Sequence, residues 1–431
     1  MNRISKILIT LILCSFSFAN ISAEEKLDSI HFDAEIINDS LFIGQDSVIL
    51  VQDSLLFKSI DVKPNSTDLS WIINKLPSWL QGYANSLLNG HVDKTFEKKV
   101  DFSCGVIPSY GREASFGLLA AVSGQYRVNR KDSTLSPSDF TATFNASLNG
   151  FFVFKIFGNH IFSDHKSRLS YNFETYRKRL DFWGVSANSC ATNPKSRYDR
   201  RQIDFQTNYT YNITNNFYTG ASIRANYTDA KNILAPQYLS GARKRYYVTG
   251  VGLSFEYDTR DHLVTPTKGI HFVYKPMIYP RFMGNAETAF HSHNFIFDCY
   301  LKMWKGSVLA FDSYAKVNLN HAPWTMREMI AADGIRMRGY YMGSIIDNNQ
   351  IAAQLEYRQH IWSRFGLVIW GGGASIFNDA SKFLEQPTKS NWYPNYGVGL
   401  RFEFKNNVNI RADYGFGKNT SGLIVTIGEA F

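Results

Sequence analysis

Apolar and polar residues alternate with a period of two from about residue 98 to residue 431. In residues 395–404 (NYGVGLRFEF) and 407–417 (NVNIRADYGFG), aromatic and aliphatic residues alternate with Gly, Asn and charged residues. This period predicts β-strands with one apolar and one polar face. A soluble sandwich also alternates, but its polar face is its outside. Glycine and charges of both signs on the polar face instead favour strands between lipid and a water-lined lumen.

The alternating runs predict sixteen strands, each about ten residues long. They lie near residues 98–107, 114–127, 139–149, 151–161, 168–177, 201–213, 216–228, 244–257, 269–279, 289–301, 306–319, 350–361, 365–376, 395–404, 407–416 and 422–431. The predicted fold is all-β, a 16-stranded antiparallel transmembrane β-barrel. An even strand number leaves both chain ends in the periplasm. The long connections 178–200, 229–243, 320–349 and 377–394 then lie outside the cell.

The first 23 residues predict a secretory signal peptide. Arg3 and Lys6 precede an apolar stretch from Ile7 to Ala19, and small residues follow it. No later segment has the roughly 18 continuous apolar residues that a spanning helix requires. An exported chain that is 15% aromatic but has a negative mean hydropathy is typical of a barrel in the bacterial outer membrane.

Two segments between the signal peptide and the barrel predict an N-terminal appendage. Residues 24–67 are polar, with Asp-Ser pairs that recur every seven residues, and we interpret them as a periplasmic tether. Residues 68–97 carry apolar side chains at helical spacing and predict an amphipathic helical segment. That segment could lie on the membrane surface, plug the lumen or bind a periplasmic partner.

Charge and motifs exclude several other functions. The formal net charge is +9, but Lys and Arg are scattered among the predicted strands, so we expect no nucleic-acid partner. The four cysteines have no spacing typical of a metal site, and no cofactor is expected. Motifs of serine hydrolases, zinc proteases and phosphate-binding loops are absent from the sequence, so we predict no enzyme activity.

The segment YDTRDHLVTPTKG, residues 257–269, predicts a turn shaped by Asp258, Arg260, Asp261, Pro266 and Gly269. This segment resembles the periplasmic hairpin of the outer-membrane assembly and translocation barrels related to BamA and TamA, and further motifs resemble that family as well. The resemblance covers roughly the whole predicted barrel. It implies a non-enzymatic protein that inserts, assembles or translocates proteins or lipids at the outer membrane.

The resemblance also implies a lock formed by the sixth outer loop. Met337 to Tyr340 is similar to the family's Arg-Gly-aromatic motif, in which the arginine folds back into the lumen. Arg338 would then pair with Glu356 and Asp379, because a guanidinium in a protein-lined cavity needs carboxylates. Gly339 would let the backbone approach the barrel wall, and Tyr340 would pack against it.

The resemblance further implies a weak seam between the first and last strands. Gly422 and Gly428 would soften the last strand, while Ile427 and Phe431 would face lipid and Glu429 would reach water at the periplasmic rim. Opening of such a seam lets a client strand pair with its edge. Expected partners are outer-membrane lipids, client proteins and a periplasmic protein at residues 24–97.

One feature departs from the family's best-known members. The N-terminal segment does not resemble the POTRA domains that receive clients, so we expect a member without them. Two alternatives therefore stay open. The barrel could be a passive diffusion channel, or it could be a platform for a periplasmic partner protein.

Overall fold

The computed structural model describes residues 95–111, 114–132, 135–262, 265–385, 391–405 and 408–431. The predicted signal peptide (1–23), the tether (24–67) and most of the helical segment (68–97) lie outside these ranges and stay predictions. Of the helical segment, the structure describes residues 95–97, which lie in a turn.

Sixteen antiparallel strands close into a single barrel, which confirms the predicted fold. Two further strands, β12 and β13, are each two residues long and pair with one another within the connection between β11 and β14. The strands are β1 Asp101–Gly111, β2 Ser115–Tyr126, β3 Ser138–Ser147, β4 Phe152–Ile161, β5 Ser167–Phe182, β6 Ser196–Thr214, β7 Phe217–Lys231, β8 Arg245–Asp258, β9 Gly269–Tyr279, β10 Phe290–Lys302, β11 Ser307–Leu319, β12 Glu328–Met329, β13 Ile346–Asp347, β14 Asn349–Trp362, β15 Phe365–Phe377, β16 Trp392–Lys405, β17 Val408–Gly417 and β18 Thr420–Ile427.

β5 and β6 extend well past the predicted strand ends. The ladder continues through Arg179 opposite Asp199 to Phe182 opposite Ser196, where the sequence pattern predicts a loop. The charged residues there form cross-strand ion pairs, which stabilise a ladder in water as apolar pairs do in lipid. Loss of the apolar alternation therefore marks the end of the lipid face rather than the end of the strand.

The two faces of the strands differ as the period predicts. On β16, Tyr396, Val398 and Leu400 are exposed on the outside of the barrel, whereas Asn395 and Arg401 are buried inside. None of the helices in the described ranges has the length and apolar character that a membrane crossing requires. Two short α-helices of the described part of the chain, α1 Ala187–Thr192 and α2 Ala380–Glu385, lie in connections between strands.

The connection between β11 and β14, residues 320–348, is called loop 6 here and enters the barrel. It is fixed at its start by Trp324, whose Nε1 donates to the Arg243 carbonyl at 2.9 Å, and by Arg327, which donates to the Val185 carbonyl at 2.7 Å. Trp324 packs in an apolar cluster with Phe182, Tyr198 and other residues of β5 to β8. This cluster joins loop 6 to the connections that follow β5 and β7.

Candidate functional site in the barrel lumen

Arg338 lies at the tip of loop 6 with none of its surface exposed. Its Nη2 donates to Oε2 of Glu356 at 2.8 Å, and its Nη1 donates to Oδ2 of Asp413 at 2.8 Å. Glu356 is on β14 and Asp413 is on β17, so one guanidinium spans two carboxylates from different parts of the wall. A buried cation needs this compensation because removal from water is costly.

The face of the guanidinium is also covered. Trp370 of β15 lies with its ring centroid 3.6 Å from Cζ of Arg338, within the range of a cation–π contact. The Trp370 Nε1 donates to Asn395 at 3.0 Å, which fixes the indole. Nε of Arg338 has no hydrogen-bond partner among the described residues. The loss of its hydration is therefore compensated by the two carboxylates and by the ring of Trp370.

Gly339 is required by the backbone at this point. Its φ is +100°, and a Cβ there would collide with the Gly415 carbonyl of β17. A Cβ on Gly415 would in turn collide with the Arg338 carbonyl. The loop therefore approaches the wall backbone to backbone, which two glycines permit and other residues do not.

Tyr340 fastens the loop beyond the arginine. Its hydroxyl donates to the Pro394 carbonyl at 2.8 Å and accepts from the Lys418 backbone nitrogen at 2.8 Å. Thr420 Oγ1 donates to the Gly339 carbonyl at 2.9 Å. Loop 6 is thus attached to β16, to β18 and to the turn between β17 and β18.

A second arginine of the loop also enters the wall. Arg336 makes a two-pronged contact with Asp312 of β11, in which Nε donates at 2.8 Å, and it donates to Asp333 at 2.9 Å. Arg411 of β17 donates to the Gly334 carbonyl at 3.0 Å. No motif in the sequence predicts a partner for Arg336, because Asp312 lies on a strand that carries no recognisable motif.

The predicted pairing of Arg338 with Asp379 is wrong. Asp379 is exposed beyond the end of β15, where its carboxylate accepts from the backbone of Ser381 at 2.9 Å and caps α2. Asp413 takes the predicted place. Its position on the polar face of the run 407–417 was a usable signal, whereas the short motif around Asp379 was not.

The hairpin between β8 and β9 contains Asp258, Arg260, Asp261, Pro266 and Gly269, which the resemblance assigns to a shaped turn. Arg260 donates to Asp258 at 2.9 and 2.8 Å, and Asp261 accepts the backbone nitrogen of Thr267 at 2.8 Å. Burial raises the pKa of Asp261, but hydrogen bonds from Thr267 and Lys268 outweigh it, so the pKa falls below its usual range. Gly269 has φ +109°, and Pro266 is buried.

Within the described ranges, the side chains of Glu256, Asp258 and His271 lie close enough to suggest metal ligands. His271, however, already lies 3.2 Å from both Glu256 and Asp298, and Asp258 is taken by Arg260. These ion pairs account for the cluster, so we assign no metal to it.

The last residues turn inward, contrary to the prediction. β18 ends at Ile427, and Gly428 has φ +93°, which redirects the chain. The Glu429 side chain is then only 5% exposed and accepts from Arg401 at 2.7 Å, and the Phe431 ring lies 5.1 Å from the Arg358 guanidinium. Neither side chain therefore faces lipid or the water at the rim.

The seam between β1 and β18 is sparsely paired. β18 is in register with β17 along its length, from Thr420 opposite Gly417 to Ile427 opposite Ile410. To β1 it is joined, among the described residues, by one registered pair, Tyr110 and Val425. Gly422 lies within the part of β18 that pairs with β17.

Residues 111–431 match the model of the Omp85 superfamily domain. The chain belongs to the Omp85 superfamily. The predicted family is thereby confirmed, and with it the assignment to the outer-membrane barrels. No curated protein sequence matches the chain.

Solved structures are similar to this Omp85 barrel in fold. CdiB from Acinetobacter baumannii has a TM-score of 0.50 and 11% identity, over 77% of this chain and 60% of that one. CdiB from Escherichia coli has a TM-score of 0.50 and 11% identity, over 77% and 63%. BamA from Haemophilus ducreyi lacking POTRA domains 1–3 has a TM-score of 0.49 and 11% identity, over 76% and 70%. The chain thus spans less than two thirds of either CdiB chain.

Arg338→Ala should lower the heat resistance of the folded Omp85 barrel. In this variant Glu356 still has an ion pair with Arg358, and Asp413 still has one with Arg401. We therefore expect the free energy of unfolding to fall by about 2–3 kcal/mol, less than the roughly 3–5 kcal/mol that an unpaired buried charge costs. The measurement is the temperature at which the fast-migrating folded form disappears on SDS gels. Arg281→Ala, at an exposed turn, is the matched control. Equal transition temperatures for both variants would show that Arg338 does not stabilise the barrel by holding loop 6 to the wall.

Asp413→Asn should destabilise the barrel more than Arg338→Ala. The carboxylate of Asp413 is contacted by Arg338, Arg401 and Arg411. Its replacement by a neutral amide removes the negative charge that these three buried guanidinium groups share, which should lower the free energy of unfolding by about 3–5 kcal/mol. Urea-induced unfolding followed by tryptophan fluorescence measures the difference. Asp379→Asn is the control and should be neutral, since Asn caps a helix as well as Asp. A larger effect at residue 379 than at 413 would reverse our assignment.

Proposed function

We propose that this Omp85 barrel inserts, assembles or translocates proteins or lipids at the outer membrane by opening the seam between β1 and β18. The single observation that carries the proposal is the contrast between the two edges of β18. One edge is registered with β17 along its length, and the other shares one registered pair with β1 among the residues that the structure describes. An edge with few ladder hydrogen bonds separates at low cost and can accept a client strand.

The composition of β1 also supports an edge that opens. Pro108 lies within this strand, and its nitrogen has no N–H to donate to a ladder. β18 is only eight residues long, compared with 14 for β16. The weak pairing is therefore a consequence of strand length and residue choice.

Loop 6, held by Arg338, would keep the lumen closed while β1 and β18 separate. Residues of the loop and the wall line a cavity of about 280 Å³, with Arg224, Lys275, Lys316 and Glu328 among them. A loop held to different parts of the wall through Arg336 and Arg338 does not favour a passive diffusion channel. Membership in a family of assembly and transport barrels supports a non-enzymatic role.

We place both termini in the periplasm and the long connections outside the cell. The long connections all lie at one end of the barrel, and short periplasmic turns with long outer loops are typical of outer-membrane barrels. At the other end, Arg127 donates to Thr95 at 2.8 Å and lies 4.0 Å from the Phe96 ring. These contacts hold Thr95 and Phe96 at that end of the barrel, and we propose that residues 24–97 bind a periplasmic partner protein.

A disulfide across the seam should block the proposed activity. Tyr110→Cys with Val425→Cys joins directly opposed residues, whose Cα separation in an antiparallel pair suits a disulfide. In liposomes that contain the cysteine-free barrel with this pair, insertion of a urea-unfolded eight-stranded barrel should fall to the rate of protein-free liposomes. A reductant should restore it.

The matched control shares residue 425. Ala412→Cys with Val425→Cys joins β17 to β18, which stay paired when the seam opens. This disulfide should leave insertion unchanged. Undiminished insertion with the seam disulfide fully formed would end the proposal of a gated seam.

An epitope inserted after Gly241 should be detected by antibody on intact cells. Gly241 is exposed in the connection between β7 and β8 and has open space around it, so an insertion there leaves the strands intact. The same epitope in the hairpin after His262 should be detected only in permeabilised cells. The opposite pattern of detection would show that the barrel lies in the membrane in the reverse orientation.

A further inference from the structure

The outer surface of the barrel carries a group of cations just beyond its apolar band. The extended ends of β5 and β6 place Arg177 opposite Arg201 and Asp181 opposite Arg197. These residues point away from the lumen, because the alternate residues Tyr198 and Arg200 are buried inside. The group continues onto the ends of β7 and β8. We call it the cationic surface; it consists of Arg177, Arg179, Lys195, Arg197, Arg201, Lys231 and Arg245.

The cationic surface presents its charges to the surroundings while its counterions lie beneath. The side chains of Arg179, Arg197 and Arg245 are 52–59% exposed, whereas Asp199 and Asp229 are 6% and 8% exposed. Seven cations stand over three carboxylates, the third being that of Asp181, which leaves an excess of positive charge. Several of the pairs are loose, at 3.3–3.5 Å.

Two arginines of the cationic surface oppose each other directly. Arg177 and Arg201 are registered partners on one face of an antiparallel pair, and like charges in that arrangement are destabilising. Arg177 reaches Asp199 at 3.5 Å, but exposed Arg201 has no ion pair among the described residues. An anion between the two guanidinium groups would turn this repulsion into attraction.

The height of the cationic surface indicates where such an anion would come from. On β8 the outward residues from Tyr247 to Tyr257 include exposed Val251 and Leu253. Ten residues of a tilted strand rise about 25 Å, the height of the apolar band between two aromatic girdles. Arg245 comes two residues beyond Tyr247, roughly 5 Å past that girdle, at the level of lipid headgroups.

We propose that the cationic surface binds the phosphate groups of a lipid headgroup in the outer leaflet. Arginine contacts phosphate through two parallel hydrogen bonds, so exposed guanidinium groups suit this ligand. The four strands span roughly 14 Å at about 4.8 Å per strand, which fits a headgroup with two separated phosphates better than a single phosphate. A cleft of about 730 Å³ lined by Lys231, Arg243, Lys244 and Arg245 adjoins the surface. The assignment to the outer leaflet rests on the proposed orientation.

The test uses the full chain, folded in a nonionic detergent, and native mass spectrometry of bound lipid. The probes are bisphosphorylated lipid A, the same lipid without its phosphates, and inorganic phosphate as competitor. The triple variant Arg177→Gln, Arg201→Gln, Arg245→Gln should weaken binding of bisphosphorylated lipid A by roughly 100-fold, since each cation near a charged lipid surface contributes about tenfold or less. The dephosphorylated lipid should bind the wild type and the triple variant equally.

The control variant removes the same charge from the opposite rim. Lys268→Gln, Lys302→Gln, Lys305→Gln changes three exposed lysines near the periplasmic turns and should bind lipid A like the wild type. Equal weakening by both triple variants, or displacement of lipid A by inorganic phosphate at equal concentration, would overturn the proposal. Heat resistance on gels checks that each variant is folded, and the epitope after Gly241 tests the orientation separately. The insertion assay reports on the seam and is independent of this result.

Discussion

The arrangement of the lumen depends on one buried cation. Removal of a guanidinium from water costs several kcal/mol, so Arg338 can lie inside the barrel only where carboxylates and a ring replace its hydration. Glu356 and Asp413 supply the charge, and Trp370 covers the face. Because these three groups come from β14, β17 and β15, the position of one side chain defines the relative position of loop 6 and much of the wall.

The surrounding residues follow from that constraint. The carboxylates carry more negative charge than Arg338 alone neutralises, and Arg358 and Arg401 contact the same two groups at 2.8 and 2.6 Å. The glycines at 339 and 415 provide room for the loop backbone against β17. A loop held in this way cannot be replaced by a generic polar turn, which explains why residues 334–344 carry two arginines, two tyrosines and glycines at Gly334, Gly339 and Gly343.

The fold was predictable to a greater extent than the site. The period of two predicts the strands well, because lipid and lumen impose opposite demands on successive residues. The same period underestimates the lengths of β5 and β6, because cross-strand pairs of charged residues continue the ladder beyond the apolar face. In the site, the motif predicted Arg338 and Glu356, but Asp379 was assigned from a short match and proved to cap a helix. Partners from distant strands, such as Asp312 and Asp413, depend on barrel closure, which no local pattern reveals.

The inward turn of the last residues bears on how a weak seam can coexist with a stable barrel. Within the described ranges β18 has one registered pair with β1, yet Glu429 is bound to Arg401 on β16 and Phe431 lies against Arg358 on β14. The last strand is therefore held from inside by the same network that holds loop 6, without help from β1. Separation of the seam, as proposed, would break few ladder bonds and none of these ion pairs. The movable edge would then be β1, which is fully registered only with β2 and carries Pro108, while β18 remains a fixed template for a client strand.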